Sequence, residues 1–441
     1  MTNRTTYLPG KATIAVEPRF HNNTLKVQVC FTRDLRRFFQ ASEFFVQYED
    51  DITASDGLLG VTAVALMLPL AWLTGSDIRI DRLDRTFGQA AQALQREFSA
   101  IYPKMPFATE VIADEWIDTP PNPEGTAMLY SGGMDATYSF FANRESRPRL
   151  IQIFGTEFPL SSKKYLALLR TLSSEFAERH DVPISYVKTD SRFLLNNRCV
   201  MHRLVPLRER LSGDLWKALG YALGFLGMTA PLSAGRFDRL IIAAWANREH
   251  ADRMRENPDC SSPRVDEKIK WSNLSVQHHG CLHRFEKARA MKEWLPGNPL
   301  RVCWSREDLE SRDRINCQRC EKCARSITAL AVGGVDPNSC GFSITPDTVQ
   351  FMKEFLISKE ISPSNLAFWW GPMQREVPED LEDDRFGLRD FLLWFRSLDL
   401  GDGLNPVPSR FSLDYLYHRF PYPVSMAFRS IVYGIIGEPR H

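Results

Sequence analysis

The sequence predicts an α/β protein: a parallel sheet flanked by helices, with a separate α+β module ahead of it and a helical cap behind it. Three observations predict this. Between residues 127 and 244 short apolar runs alternate with stretches of helical spacing, the pattern of successive βαβ units. The first run ends in Ser131-Gly132-Gly133 and passes directly into a helical stretch. Beyond the last run, cysteines crowd between Cys303 and Cys323 at a spacing that suits a metal ion.

Taken in order, residues 1–115 read as a module of their own. Thr13 to Val16 and Leu25 to Phe31 alternate as strands across a turn at Asn22-Asn23, and Phe44 to Tyr48 adds a third strand. The apolar run Leu58 to Leu73 spans about 16 residues and contains Pro69, which is short for a membrane span and suits a buried helix. A short strand at Asp77 to Ile80 follows. Phe87, Ala91, Leu94 and Phe98 then recur at helical spacing between Leu83 and Tyr102. This part carries no constellation of charges suited to chemistry, and it reads as a packing or partner-binding domain.

A proline-rich linker, Thr119 to Glu124, leads into a second domain over 122–300. Its expected elements are a strand at Ala127 to Tyr130 and a helix after Asp135. Strand Leu150 to Phe154, helix Ser161 to His180, strand Ile184 to Lys188, helix Leu215 to Leu226 and strand Leu240 to Ala244 follow. Ligands of such sheets collect at the carboxyl ends of the strands. The candidate tips are Ser131 to Asp135, Gly155-Thr156-Glu157, Thr189 to Arg192 and Ala244 to Asn247.

Further on, Arg198, His202, Arg203, Arg208 and Arg210 form a basic run, either a solvated surface or a seat for a second anionic substrate. His278 and His279 stand in a turn expected to enter an amphipathic helix, as acid, base, metal ligands or hydrogen-bonded structural histidines. Lys287 falls one turn into that helix, within reach of a phosphate. The segment 301–340 holds the cysteines and closes the second domain. Residues 341–441 form the cap, rich in aromatics at Phe368-Trp369-Trp370, Leu392 to Phe395, Tyr415 to Tyr417 and Phe420 to Tyr422. Large aromatics of this kind anchor partner interfaces.

Composition narrows the classes. With 55 basic and 54 acidic residues the net charge is +1, so no global field draws the chain to nucleic acid or membrane. The N-terminus has no apolar signal core, and the expected location is the cytoplasm. The cysteine count is odd, at nine, with four gathered in one short segment. In an intracellular chain this favours metal over disulfides.

Two stretches carry the chemistry. In Ser131-Gly132-Gly133-Met134-Asp135 the paired glycines let backbone N–H groups approach a ligand closely, and the helix start behind them adds unpaired donors and a positive dipole end. Together these suit a phosphate chain. The stretch resembles the PP-loop of the ATP pyrophosphatase superfamily, with Asp135-Ala136-Thr137 standing where that loop usually reads Asp-Ser-Thr. The second stretch, Cys303 with Cys317-Gln-Arg-Cys320-Glu-Lys-Cys323, supplies four thiolates. That is the count for a closed tetrahedral zinc site and also for an iron–sulfur cluster; nothing nearby demands electron transfer, which favours Zn²⁺. Arg319, Lys322 and Arg325 would offset its negative charge.

The pair of motifs, with Phe285-Glu286-Lys287-Ala288, resembles 7-cyano-7-deazaguanine synthase over roughly residues 125–332. The added terminal regions are similar to larger synthase-like proteins of anti-phage and surface-polysaccharide gene neighbourhoods. The resemblance implies an ATP-dependent, C–N bond-forming ligase. A small-molecule carboxylate is adenylated with loss of pyrophosphate. An amine donor, either ammonia or an amino group of a partner protein, then takes the acyl group to give an amide or nitrile. Ser131, Gly132, Gly133, Met134, Asp135 and Thr137 would hold ATP, Asp135 would hold or orient Mg²⁺, and Lys287 would balance charge developing on phosphorus. A tRNA-modifying member of the same superfamily and a nucleotide-binding scaffold without turnover are the alternatives.

Overall fold

The computed structural model describes residues 11–207, 214–248, 261–307, 309, 311–358, 361, 365–381 and 383–400. Its strands are β1 (Thr13–His21), β2 (Thr24–Phe31), β3 (Glu43–Tyr48), β4 (Asp77–Asp84), β5 (Val111–Ile117), β6 (Thr126–Leu129), β7 (Arg149–Phe154), β8 (Ile184–Thr189), β9 (Arg239–Ala243) and β10 (Ser275–His279). All join one sheet in the order β10-β9-β6-β7-β8-β3-β2-β1-β4-β5. The half from β10 to β8 is wholly parallel. Numbered along the chain from β6, its strands lie in the order 3-2-1-4-5, the doubly wound arrangement. Its winding reverses between β6 and β9, and there the Ser131–Asp135 turn emerges.

The expected separation of residues 1–115 gives way to a continuous sheet. Strand β3 pairs antiparallel with β8, through Val46 to Thr189 and Tyr48 to Val187. One buried cluster runs from Ile14 through Trp72 to Ile242 and Val276. Helix α1 (Asp56–Thr74) holds this cluster together. Every residue from Gly57 to Leu73 is buried, so the helix needs no polar face, as expected of a core helix. Ser55 caps its start and Gly75, at φ 71°, its end. Among the described residues it is the one helix apolar and long enough to span a membrane, and the protein interior covers it. Helix α2 (Arg85–Ile101) is capped by the Asp84 side chain on the Phe87 amide, at 2.8 Å, and turns Phe87, Leu94 and Phe98 inward.

A second cluster lies around helix α3 (Met134–Asn143) and helix α4 (Lys163–Arg179). It continues through α5 (Arg284–Ala290), α6 (Glu321–Val332) and the C-terminal helices α7 (Pro346–Ile357) and α8 (Arg389–Ser397). Three differences from the sequence reading concern elements. Strand β5 had no counterpart among the expected elements. His278 and His279 end a strand, β10, rather than occupying a turn. The helix expected over 215–226 begins with a wide turn at Trp216–Gly220 before Tyr221–Gly227 becomes regular. Tyr415 to Tyr417 and Phe420 to Tyr422 lie outside the described residues.

Candidate functional site

Strand β6 delivers Ser131 to the sheet rim, and Gly132 at φ 73° turns the chain into α3. Gly133 is the N-cap residue and no side chain caps the helix, so the first amides of α3 stay available to a ligand. The turn is pinned from behind, where the Gly132 carbonyl accepts from the Arg301 amide at 2.8 Å. Beside it lies a cavity of about 180 Å³. Ser131, Gly133, Met134 and Asp135 line it together with Thr156 and Glu157 from the end of β7 and Trp245 beyond β9. Leu129, Ile151, Ile153, Tyr221 and Phe225 form an apolar flank.

Two of the expected contacts are placed differently. Thr137, expected at the ligand, is 1% exposed and does not line the cavity. Lys287 is fully buried behind the wall rather than facing a phosphate. Its Nζ donates to Asp135 Oδ1 at 2.7 Å and to the Ala244 carbonyl at 2.6 Å. Arg284 Nη2 donates to the other Asp135 oxygen at 3.0 Å. Burial would raise the Asp135 carboxyl, but Arg284 and Lys287 overcome it and hold the group well below the usual carboxylate range. With both oxygens engaged, Asp135 is a bracket for two cations instead of an open Mg²⁺ ligand. Among the described residues no carboxylate cluster stands by to replace it.

The sequence reading passed over Arg284 and Arg301 and gave Lys322 and Arg325 to the cysteines, whereas all four stand at or beside the cavity. Arg284, Arg301 and Lys322 line it, and Arg325 is buried close by, with its guanidinium 4.1 Å from the Trp369 ring. Burial brings Arg325 down to about 9 and draws Lys322 below its ordinary value. Among the described residues Glu157, paired with Arg301, is the one acid at the cavity besides Asp135, and Arg301 holds its carboxyl down. Buried Arg284 Nη1 and Arg301 Nε have no hydrogen-bond acceptor. Unpaired guanidinium nitrogens buried beside a cavity with surplus positive charge give its wall a character suited to an anion. A faint signal existed: Arg301 stands two residues before Cys303, and Lys322 inside the final Cys-x-x-Cys.

Cys303, Cys317, Cys320 and Cys323 come together as expected, their sulfurs all within 4.8 Å of one another. The Cys317 and Cys323 sulfurs are 3.9 Å apart, against an edge of about 3.8 Å for a tetrahedron with 2.3 Å metal–sulfur bonds. The Arg319 amide donates to Cys317 Sγ at 3.4 Å and Arg312 to Cys303 Sγ at 3.5 Å, a shell suited to thiolates. The four cysteines could hold a metal ion such as zinc.

The other candidates disperse. Asp190 accepts the Phe45 amide at 2.8 Å and Arg192 pairs with Asp214, so that tip knits β8 to β3 and stays out of the cavity. Arg198, His202 and Arg203 do not line it, and Arg208 and Arg210 lie outside the described residues. His279 bonds Ser139 at 3.0 Å and stacks on Tyr138, while His278 turns to Asp266. Comparison of the chain with protein-family models, curated proteins and solved structures finds no match.

Proposed function

We propose that the chain binds ATP at the end of β6 and adenylates a small carboxylate, releasing pyrophosphate before an amine takes the acyl group. The observation that carries this reading is the junction of an uncapped helix start with buried, unpartnered arginine donors around one cavity at the sheet's switch point. In this reading Ser131 and the amides from Gly133 onward take the phosphates. Arg301, Arg284 and Lys322 balance the charge that grows on the departing pyrophosphate. The apolar flank takes the base. Asp135 acts by fixing Arg284 and Lys287. Among the described residues a divalent ion finds no ligand set beside Asp135, so Mg²⁺ belongs to the reading only as a companion of the triphosphate, and no step depends on it.

The four-cysteine site takes zinc in this proposal, as a structural ion that braces the segment from Leu300 to α6. The resemblance to 7-cyano-7-deazaguanine synthase supplies the substrate class: a 7-deazaguanine-type carboxylate, converted to amide or nitrile or joined to a partner protein in a cytoplasmic, anti-phage setting.

The test is incubation of full-length protein with ATP labelled at the α-phosphate, 7-carboxy-7-deazaguanine and ammonium. AMP and pyrophosphate in equal amounts are expected. ATP bound tightly without AMP would favour a non-catalytic scaffold, and AMP formed only on adding tRNA would favour RNA modification. Failure to bind ATP at all overturns the reading.

A further inference from the structure

The side chains that line the cavity come from opposite faces of the sheet. Successive residues of a strand point to alternate faces, and at the ends of β6 and β7 both sets border the same space. Leu129, Ile151 and Ile153 pack with Tyr221 and Phe225 against the cluster that α1 holds together. Phe154, Phe158, Leu166 and Leu169 belong to a separate, smaller cluster around the first turns of α4. The cavity thus has an apolar wall on each face of the sheet, and the reading above employs only the first, for the base.

The second side also carries a polar group with no role so far. Gln152 is 6% exposed and lines the cavity. Its Oε1 accepts from Ser173 Oγ, on α4, at 2.6 Å, and that hydroxyl lies 3.1 Å from the Tyr186 hydroxyl on β8. Its amide nitrogen finds no acceptor among the described residues. A carboxamide gripped at its oxygen and buried against a cavity offers that space a donor, and a buried donor needs an acceptor. The rings nearby are held as well: Phe158 meets Tyr165 edge-on with centres 4.8 Å apart, and Phe154 stacks with Tyr186 at 5.9 Å. Arg301 ties this side to the glycine turn, with its guanidinium 5.1 Å from the centre of the Phe158 ring and its amide on the Gly132 carbonyl.

We infer that this second side seats the acyl substrate, a flat heteroaromatic carboxylate, and that Gln152 is the residue that selects it. The inference rests on the adenylation reading for placing the nucleotide on the first side. The substrate ring lies among Phe154, Phe158, Leu166 and Leu169, whose aromatic and apolar contacts suit a flat face. An acceptor on the ring's edge, a carbonyl oxygen or a ring nitrogen, takes the Gln152 amide. The carboxylate points past Phe158 toward Arg301 and Ser131, where the α-phosphate is to be met. The two reactants are kept apart by the sheet, and only their reacting ends meet over the strand tips. A carboxylate without an edge acceptor leaves the Gln152 amide unpaired and is rejected on that account.

Calorimetry on the full chain tests this with 7-carboxy-7-deazaguanine and α,β-methylene-ATP, a nucleotide that cannot be cleaved between its α and β phosphates. Both are expected to bind at once, neither displacing the other. Gln152→Leu should weaken the deazaguanine about tenfold, the worth of one hydrogen bond to a neutral group, and leave the nucleotide within about twofold. Displacement of either probe by the other overturns the proposal. So does an equal loss of both in the variant, an undiminished affinity for the deazaguanine, or no binding of it with or without the nucleotide. If Gln152→Leu does not fold, Leu166→Trp takes its place: at a half-buried position of α4 the larger ring fills the second side, and it should exclude the deazaguanine while sparing the nucleotide. Deazaguanine binding unchanged in that variant overturns the proposal equally. Deazaguanine that binds and depends on Gln152 in a protein that takes no nucleotide refutes adenylation instead, and the second side keeps its ligand.

Discussion

Replacing Lys287 with Met should destabilise the protein mainly through Asp135. The ammonium is wholly buried, 2.7 Å from a carboxylate whose side chain is only 20% exposed. At that separation an effective dielectric near 20 gives an attraction of about 6 kcal/mol. Removing Lys287 also removes its own burial cost, and Arg284 continues to neutralise Asp135, so the net loss expected is about 3 kcal/mol. Asp135→Asn should cost a similar amount, because it takes the negative charge from both Lys287 and Arg284. The double variant strands neither Asp135 nor Lys287 and leaves only Arg284 without its carboxylate, and it should fall short of the summed losses by about 2 kcal/mol. Urea unfolding at pH 7 of the four proteins reads this directly. The pH dependence follows from the depressed carboxyl. Its stabilisation is complete above the unfolded carboxylate value of about 3.9 and is lost as pH falls from there toward the folded value. The native protein should therefore weaken between pH 5 and pH 3 by more than Asp135→Asn does. Losses additive to within about 0.5 kcal/mol would refute the coupling.

Purified protein should carry one zinc per chain by elemental analysis and lack the visible absorption of an iron–sulfur cluster, and Cys320→Ser should abolish the metal. Arg301→Ala should weaken ATP binding about tenfold to a hundredfold by calorimetry, the range for a hydrogen bond to a charged group. Gly132→Ala should cost about 1–2 kcal/mol in urea unfolding, through the left-handed backbone alone, because its new methyl would meet nothing nearer than Arg301 Cβ at 3.6 Å. Gly155→Ala should fail to give soluble protein, since its Cβ would fall 1.8 Å from the Thr189 carbonyl.

What the sequence made legible were features whose cause is local. The strand before Ser131, the turn with its two glycines and the crowded cysteines all depend on neighbours a few residues away. Long-range pairing was the blind spot. Nothing in Phe44 to Tyr48 announces that β3 will join β8, some 140 positions further on, because an edge hydrogen bond carries no sequence address. His278 and His279 obscured β10, being polar residues that end an edge strand paired with β9 alone. Asp135 stood out as an isolated acid beside glycines, yet its meaning depends on Arg284 and Lys287, 149 and 152 residues away. The same distance hid Arg301, whose spacing from Gly132 no motif records.

The cysteine cluster and the phosphate-type turn, read separately in the sequence, form one mechanical unit in three dimensions. Arg301 donates its amide to Gly132, while the amides of Val302 and Cys303 both rest on Asn316 Oδ1, at 3.0 and 3.2 Å. Asn316 in turn donates to the carbonyls of Leu300 and Gly341 and directly precedes Cys317. A metal drawing Cys303 and Cys317 together would therefore tighten the strap that holds the turn. Lys322 lies between Cys320 and Cys323, so the same ion would fix where one of the cavity's cations stands. The four sulfurs need carry out no reaction to matter for the site: they would set the position of Arg301 and Lys322, and through Arg301 the turn that they face.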